Sequence, residues 1–538
     1  MIEWLKCPRK YLVKYMVMML MTSWVLSGCG SVSEEDESLE GNMSPRPMVS
    51  DESMVTVESG ENSDEVEDSE ESEQEEWLPE LSIKNIVEKW YGMDSVTVLV
   101  RCQYPEVRLS GERYEDVSKL IENWFEQEAE YCMETAQEYA WLAEADEAEG
   151  IQSYYEVELN AVCTRMDSRV ISFRVEYNGF LPESFSGYTG VSFNLEEKQV
   201  MELEDILVFE KDFWQKSKEY VLHYLEENYG DILSAEYKEY FLEDRFKPTW
   251  NWYLNAEGIC FMFQPYELAD GIGYNMEVTL PYWAVEECME EPYRGLCGVG
   301  MAQIPKEAMI SVSLSQSGVT EDTLRIFQVP APDGYMSQVC VEINGKVHEL
   351  DEYCDSVMSS YVIRRANGKT YLLFDTECLP AEWSTCLYEV TDGEVHKTAD
   401  IEGYIAAANI DSVQVRPTVE VFTTFWPRVW FSLEESGELV QREWLYEVED
   451  YDYEYRILTL TREMPVTVHG HEDVLPEGTR LWITATDDNG TAWFLTLPFG
   501  QEVKNVEGEI HYTQPDGGEI FIDGISQFDY FEMLGYSG

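Results

Sequence analysis

Between Ser31 and Glu76 the chain carries 18 acidic residues against one base, Arg46, and no aromatic side chain. Such a stretch cannot bury enough apolar surface to offset the entropy of ordering it. It therefore divides the sequence into a short segment before it and a long segment after it, and only the latter can build a core. We read residues 30–76 as a solvated, self-repelling tether. Its 47 residues reach roughly 37 Å as a flexible coil, and more when like charges extend it.

The segment before the tether reads as an export signal, residues 1–29. Lys6, Arg9, Lys10 and Lys14 precede the apolar run Tyr15 to Val25. A run of eleven residues is too short to span about 30 Å of hydrocarbon as a helix. The run ends in Leu26-Ser27-Gly28-Cys29, followed by Gly30. This order resembles the lipobox of bacterial lipoproteins, in which a thiol becomes the lipid attachment point and small neighbours admit the peptidase. The resemblance implies a diacylated Cys29 as mature N-terminus. Two or three acyl chains would anchor the protein firmly at the extracytoplasmic face of the cell membrane.

Of 538 residues, 106 are acidic and 36 basic, for a net charge of −70. The tether contributes −17 and the leader +3, which leaves −56 on residues 77–538. No basic footprint is available for phosphates, so nucleic acid is excluded as a partner. With 44% hydrophobic and 13% aromatic residues, wholesale disorder is excluded as well. A surface this acidic favours cationic partners.

Besides Cys7 and Cys29, ten cysteines remain. An even number in an exported chain permits disulfides, with Cys288/Cys297 and Cys378/Cys386 the closest pairs in sequence. No C-x-x-C spacing suggests a zinc site or a redox motif. His469 and His471 would share one side of a strand, but no third ligand is near. No metal and no cofactor is expected.

Residues 77–300 read as an α+β domain. Val96 to Cys102 is a β-branched strand, closed by Tyr104-Pro105. Glu112 to about Ala145 is a long helix, with Val117, Leu120, Ile121, Trp124, Phe125 and Cys132 on its stripe. Tyr154–Thr164 and Val170–Tyr177 are strands, the second with Ile171, Phe173 and Val175 on one face. Ser186 to Gly190 reads as a turn before a strand at Val191. Lys211–Tyr229 is a second helix. Trp250–Leu254 and Gly258–Phe263 form a hairpin, and Val278–Tyr282 is a last strand.

Several of these residues form a signature: Tyr104-Pro105, Ile171-Ser172-Phe173, Asn194, Leu203-Glu204-Asp205-Ile206-Leu207, the run Gly258 to Ala269 with its Gln264-Pro265-Tyr266-Glu267 step, Gly273, and Leu280-Pro281-Tyr282. Over roughly residues 90–290 the chain resembles the extracytoplasmic domain shared by RsiV-type lysozyme-sensing anti-sigma factors and the non-catalytic part of PdaC-type peptidoglycan deacetylases. The resemblance implies an antiparallel sheet with two helices that binds lysozyme or cell-wall material. It departs from the family where Ser186-Gly187-Tyr188-Thr189-Gly190 replaces a Gly-Gly-Ala-His-type turn. Only about fourteen residues precede the signal, so no anti-sigma domain is expected. No Thr-Phe-Asp-Asp block marks a deacetylase. Pro265, Tyr266 and Glu267 are the candidate contact residues, because an aromatic beside a carboxylate on a turn suits a basic surface. The competing reading packs Tyr266 under the hairpin and uses Glu267 to cap a turn.

Beyond Pro305 the texture is β-rich. Asn344-Gly345, Asn367-Gly368 and Asp392-Gly393 separate apolar runs and suit the paired positive φ of type I′ hairpins. Residues 301–445 are expected to be sandwich-like. Residues 446–538, with strands at 463–468, 480–486, 491–497 and 519–522, are expected to form a small five-stranded barrel similar to SH3-type wall modules. Glu447 to Glu454 lacks the Gly and distal Glu of an EF-hand. Gly368-Lys369-Thr370 lacks the first Gly of a P-loop, His471-Glu472 lacks the second His of a zinc protease, and no Gly-x-Ser-x-Gly elbow occurs. The expectation is a non-enzymatic, lipid-anchored binding protein for a cationic, lysozyme-like protein or a wall fragment. The alternatives are a glycan-modifying enzyme using unrecognised carboxylates and a structural envelope lipoprotein.

Overall fold

Apolar residues spaced three and four apart make Glu115–Ala148 a helix, α1, with Val117, Ile121, Phe125, Cys132 and Ala136 buried on one stripe. The computed structural model describes residues 79–534, apart from 93–97, 152, 181–184, 231–237, 239–240, 243–249, 265–266, 268–274, 297, 315–321, 332–333, 379–381, 449–455, 498–504 and 516–517. The leader, Cys29, the tether, Pro265 and Tyr266 lie outside the described residues, as does most of the acidic run 447–454. Among the described residues no helix is long and apolar enough to cross a membrane.

The protein is β-rich with few helices. Strands β1 (Glu80–Tyr91), β2 (Val98–Ser110), β3 (Tyr155–Asp167), β4 (Val170–Phe180), β5 (Phe185–Asn194) and β6 (Gln199–Val200) build one half of a large sheet. A short excursion, β7 (Asn251–Leu254), β8 (Gly258–Phe263) and β9 (Met276–Pro281), makes a separate three-stranded sheet. The large sheet resumes with β10 (Gly300–Gln303). A second sheet follows from β11 (Met309–Val312), β12 (Asp322–Pro330), β13 (Ser337–Ile343) and β14 (Lys346–Cys354). Then β15 (Ser356–Arg364), β16 (Thr370–Cys378), β17 (Glu382–Thr391) and β18 (Glu394–Glu402) complete an 11-stranded sheet in the order β18-β17-β16-β15-β10-β3-β4-β5-β6, with β2 and β1 extending from β3.

The expected boundary between residues 300 and 301 falls inside β10. That strand pairs with Met166 and its neighbours on β3 and with Ile363 and its neighbours on β15. The sheet is therefore continuous through this point. Arg165 directs the chain there. It is fully buried, and its guanidinium holds Asp167, the Tyr282 hydroxyl and the carbonyls of Tyr293 and Gly295. These bonds fasten the segment after β9 against β3, next to the start of β10.

Layers stack on both faces of the large sheet. Ile171, Phe173 and Val175 of β4 pack with Phe125 of α1 on one face. Farther along, Ala302, Leu372 and Phe374 pack with Leu324, Val339 and Val341 of the second sheet, while Tyr371, Leu373 and Leu387 pack on the opposite face with Ile405, Val413 and Val415. Strands covered on both faces read as near-continuous apolar runs, and Thr370–Thr376 on β16 is buried without interruption.

Several local expectations are corrected. The strand at Val98 does not close at Tyr104-Pro105. It runs on to Ser110, with Pro105 opposite Asn85 of β1. Ser186–Gly190 is no turn but the middle of β5, and Gly190 is needed there for close approach: an added Cβ would lie 2.1 Å from the Trp252 carbonyl oxygen. The hairpins at Asn344-Gly345 and Asp392-Gly393 have the paired positive φ expected of them. At 367–368 only Gly368 does, in a longer Arg365–Lys369 connection.

In the last region Met464–Val468, Arg480–Thr486 and Thr491–Thr496 lie in a seven-stranded sheet. Phe521–Ile522 is not part of it and pairs instead with Ile525–Ser526. His469 is not on a strand: with φ 51° it forms the turn of a hairpin whose second strand begins at His471. The cysteines close in sequence do not pair. Register places Cys386 opposite Phe374 and Cys378 opposite Glu382, four rungs or about 13 Å apart along the strand. Cys288 is a free thiol, and Cys297 lies outside the described residues.

Candidate binding surface

Strand β4 serves two layers at once. Its odd positions enter the α1 core. Its even positions, Ser172, Arg174 and Glu176, face the three-stranded sheet, because successive side chains point to opposite faces. Their partners on β5 are Ser192, Gly190 and Tyr188. The small sheet is also two-faced. Trp252, Phe261, Phe263 and Val278 pack with Phe213, Val221 and Leu225 of the second long helix, α2 (Glu210–Tyr229). Tyr253, Cys260 and Met262 face β5 and contact Tyr188.

The two sheets meet through polar bonds at one end. The Ser172 hydroxyl accepts from Leu254 N at 2.9 Å and shares a 2.7 Å bond with Ser192. Thr164 donates to the Leu254 carbonyl at 2.7 Å. Farther along the same face sits a charged group. Arg174 bonds Glu176 at 2.6 Å and reaches Glu277 of β9 at 3.5 Å, with the Tyr188 ring 6.0 Å from its guanidinium carbon. Two carboxylates therefore share one cation. Burial alone would lower the Arg174 pKa, but Glu277 and Glu176 outweigh it and hold the guanidinium above its ordinary value. Burial raises the Glu277 carboxyl, with Arg174 opposing. Among the described residues, the acceptors Glu277 Oε1 and Asn275 Oδ1 and the donor Arg174 Nε are buried without a hydrogen-bond partner.

The candidate loop leaves β8 beside this group. Gln264 Nε2 donates to the Tyr188 carbonyl at 2.5 Å, which pins the start of the loop to β5. Glu267 is exposed, yet its Oε2 accepts from Gln264 N at 2.8 Å while its own N–H donates to the Gln264 carbonyl at 3.1 Å. Glu267 thus closes a turn, as the competing reading had it, and still presents charge to solvent. Asn275, at the far end of the loop, donates to Ser186 on β5 at 2.6 Å. Both ends of the loop are tied to the same strand.

The other signature residues hold the fold. Asn255 is buried and accepts from the N–H groups of Glu257 and Gly258, both at 2.9 Å, which shapes the β7–β8 turn. Gly258 has no room for a side chain, since an added Cβ would lie 1.9 Å from the Leu280 carbonyl oxygen. Asn194 caps the turn after β5 through Glu196 N and Glu197 N. Leu203–Ile206 is a single 3-10 turn closed by Glu202 and Asp205.

Sequence reading missed Arg174, Glu176 and Glu277. The signal was present in the charged positions interleaved in Val-Ile-Ser-Phe-Arg-Val-Glu-Tyr, but alternation reads equally as a solvated face. A second carboxylate group was also missed. Glu352, Cys386 and Asp400 bring their ligand atoms within 4.8 Å of one another. Lys397 binds Glu352 and Asp400, each at 2.6 Å, so an ammonium already occupies the cation position. His469 and His471 are both exposed at a hairpin end. A depression of about 330 Å³ lies by Gly111 and Ser118; Lys119 pairs with Glu115 at 2.7 Å and Glu122 accepts from the Ser118 hydroxyl at 2.9 Å.

Residues 203–283 match the protein family described as DUF3298, a protein of unknown function. Solved structures of DUF3298 proteins are similar. One from Bacteroides fragilis is 16% identical, with 40% of this chain and 94% of that chain covered and a TM-score of 0.30. One from Pseudomonas aeruginosa is 14% identical, with 41% and 98% covered and a TM-score of 0.31. No curated protein matches.

Proposed function

We propose that this chain is a lipid-anchored extracytoplasmic binding protein whose α+β region, of the kind shared by RsiV and PdaC proteins, recognises a cationic, lysozyme-like protein or a cell-wall fragment. The observation that carries the reading is the excess of acceptors at the loop between β8 and β9. Among the described residues, Glu176 and Glu277 share the single cation Arg174 and Glu267 presents a further carboxylate, three acids to one base. A ligand rich in N–H donors, whether lysine and arginine side chains or the amides of a wall peptide, complements such a surface. The −56 on residues 77–538 adds long-range attraction for a basic partner and speeds encounter. In sequence Pro265 and Tyr266 stand between Gln264 and Glu267 and are the proposed contact residues, and Cys29 holds the assembly at the membrane.

The test is retention of the purified chain on immobilised lysozyme and on peptidoglycan, at low and high salt. Retention on lysozyme at low salt that falls as salt is added, and that weakens in a Glu176→Gln/Glu277→Gln variant, supports the charged reading. Absence of retention on both supports at low salt overturns it.

A further inference from the structure

Cys102 and Cys132 stand apart from the other thiols. Cys102 lies on β2 and Cys132 midway along α1, thirty residues apart, and both are buried, at 0% and 1% exposure. Their Sγ atoms are 3.4 Å apart and share a hydrogen bond. No other Sγ–Sγ hydrogen bond is found among the described residues. Cys163 and Cys260, also buried, donate to backbone carbonyls at 3.6 and 3.9 Å. A 3.4 Å separation is a contact between two thiols, and bonding needs a further approach to about 2.05 Å.

We propose that Cys102 and Cys132 close into a structural disulfide when the chain folds in an oxidising compartment, covalently fixing α1 to β2. In the reaction each thiol loses its hydrogen and one S–S bond forms. Two electrons and two protons pass to a disulfide oxidant, which leaves as two thiols through a mixed-disulfide intermediate. Because both sulfurs are shielded once α1 is docked, the exchange takes place while the helix is still coming to rest on the strand. The bond sits where α1 and β2 make one of the largest helix–sheet contacts in the protein. It links the helix at its centre, so that reduction frees a long lever. The geometry stands independently of the export reading, which decides only where the oxidant is met.

The experiment refolds the purified full chain over a series of reduced-to-oxidised glutathione ratios, traps thiols by alkylation, and maps peptides without reduction. The expected result is a linked pair of peptides carrying Cys102 and Cys132, two hydrogen atoms lighter than the separate peptides and retained well into the reducing end of the series. Recovery of both peptides alkylated and unlinked at the oxidising end, or either one linked to a different cysteine, overturns the proposal. A second measurement needs no mapping. Reductant is expected to lower the thermal midpoint of the oxidised wild type and to leave a Cys102→Ala/Cys132→Ala variant where it was. An equal drop in both also overturns the proposal.

Discussion

Arg174 Nη1 reaches Glu277 Oε2 at 3.5 Å, and this contact is a charged bridge between the large sheet and the three-stranded sheet. Both side chains are about three-quarters covered. Removing the cation leaves two carboxylates facing one another in a partly desolvated space. Arg174→Ala is expected to destabilise the protein by about 1–3 kcal/mol in chemical denaturation. Glu277→Gln keeps the shape and removes the excess charge, and is expected to cost less than about 1 kcal/mol. A larger loss for Glu277→Gln than for Arg174→Ala would contradict this account of the group.

Gly190→Ala tests the close approach of the two sheets. The added methyl would meet backbone, the Trp252 carbonyl, and backbone cannot rotate away. Overpacking of this kind costs about 1–3 kcal/mol or more. The expected outcome is a clear fall in the denaturation midpoint. Gly345→Ala is the comparison, because nothing lies within 4 Å of a Cβ there and only the positive φ opposes it. Equal effects at both positions would remove packing as the cause at Gly190.

Asp375 gives a pH dependence with a definite sign. It is buried and accepts from Ser359 N at 2.6 Å and Ile405 N at 3.0 Å. Burial raises its pKa to about 6, against about 3.9 in an unfolded chain. A raised carboxyl supports the fold fully below the unfolded value and loses that support as pH climbs to the folded one. Between about pH 4 and pH 6 the cost to the fold grows to about 3 kcal/mol. Asp375→Asn presents an amide N–H where one backbone N–H needs an acceptor, so it starts with a deficit of about 1–3 kcal/mol. That deficit relative to wild type is expected to shrink as pH rises through this window. A deficit independent of pH would show that the carboxyl titrates normally.

Anchoring is tested by Cys29→Ala. Fractionated cells are expected to show the wild type with membranes and the variant released from them. Unchanged membrane association of the variant would refute lipidation at Cys29.

The elements of residues 98–300 were largely legible in sequence because their periodicities are strong. The stripe through Val117, Ile121 and Phe125 placed α1, and the alternation around Phe173 placed β4. What alternation does not carry is the identity of the opposing layer. The polar face of β4 reads as solvent-facing, yet Arg174 meets Glu277 across a second sheet contributed from a hundred residues away. Gly187 and Gly190 suggested a turn because glycine's usual local meaning is conformational freedom, whereas at Gly190 the requirement is steric and comes from Trp252. Turn chemistry was more dependable where the dipeptide itself sets the geometry, as at Asn344-Gly345. The cysteines show the same limit: neighbours in sequence at 378 and 386 lie apart on the ladder, and the pair that meets, Cys102 and Cys132, is joined only by the docking of a helix.

The four residues of β10 have a consequence for where this chain can be cut. The match to the DUF3298 family model ends at residue 283, and a fragment stopping near there looks like a natural module. Such a fragment lacks Gly300–Gln303 and leaves the end of β3, from Arg165 to Asp167, with an open row of backbone donors and acceptors. Such edges recruit other chains. A truncation placed at the end of that match therefore cuts through one continuous sheet and invites aggregation at the seam.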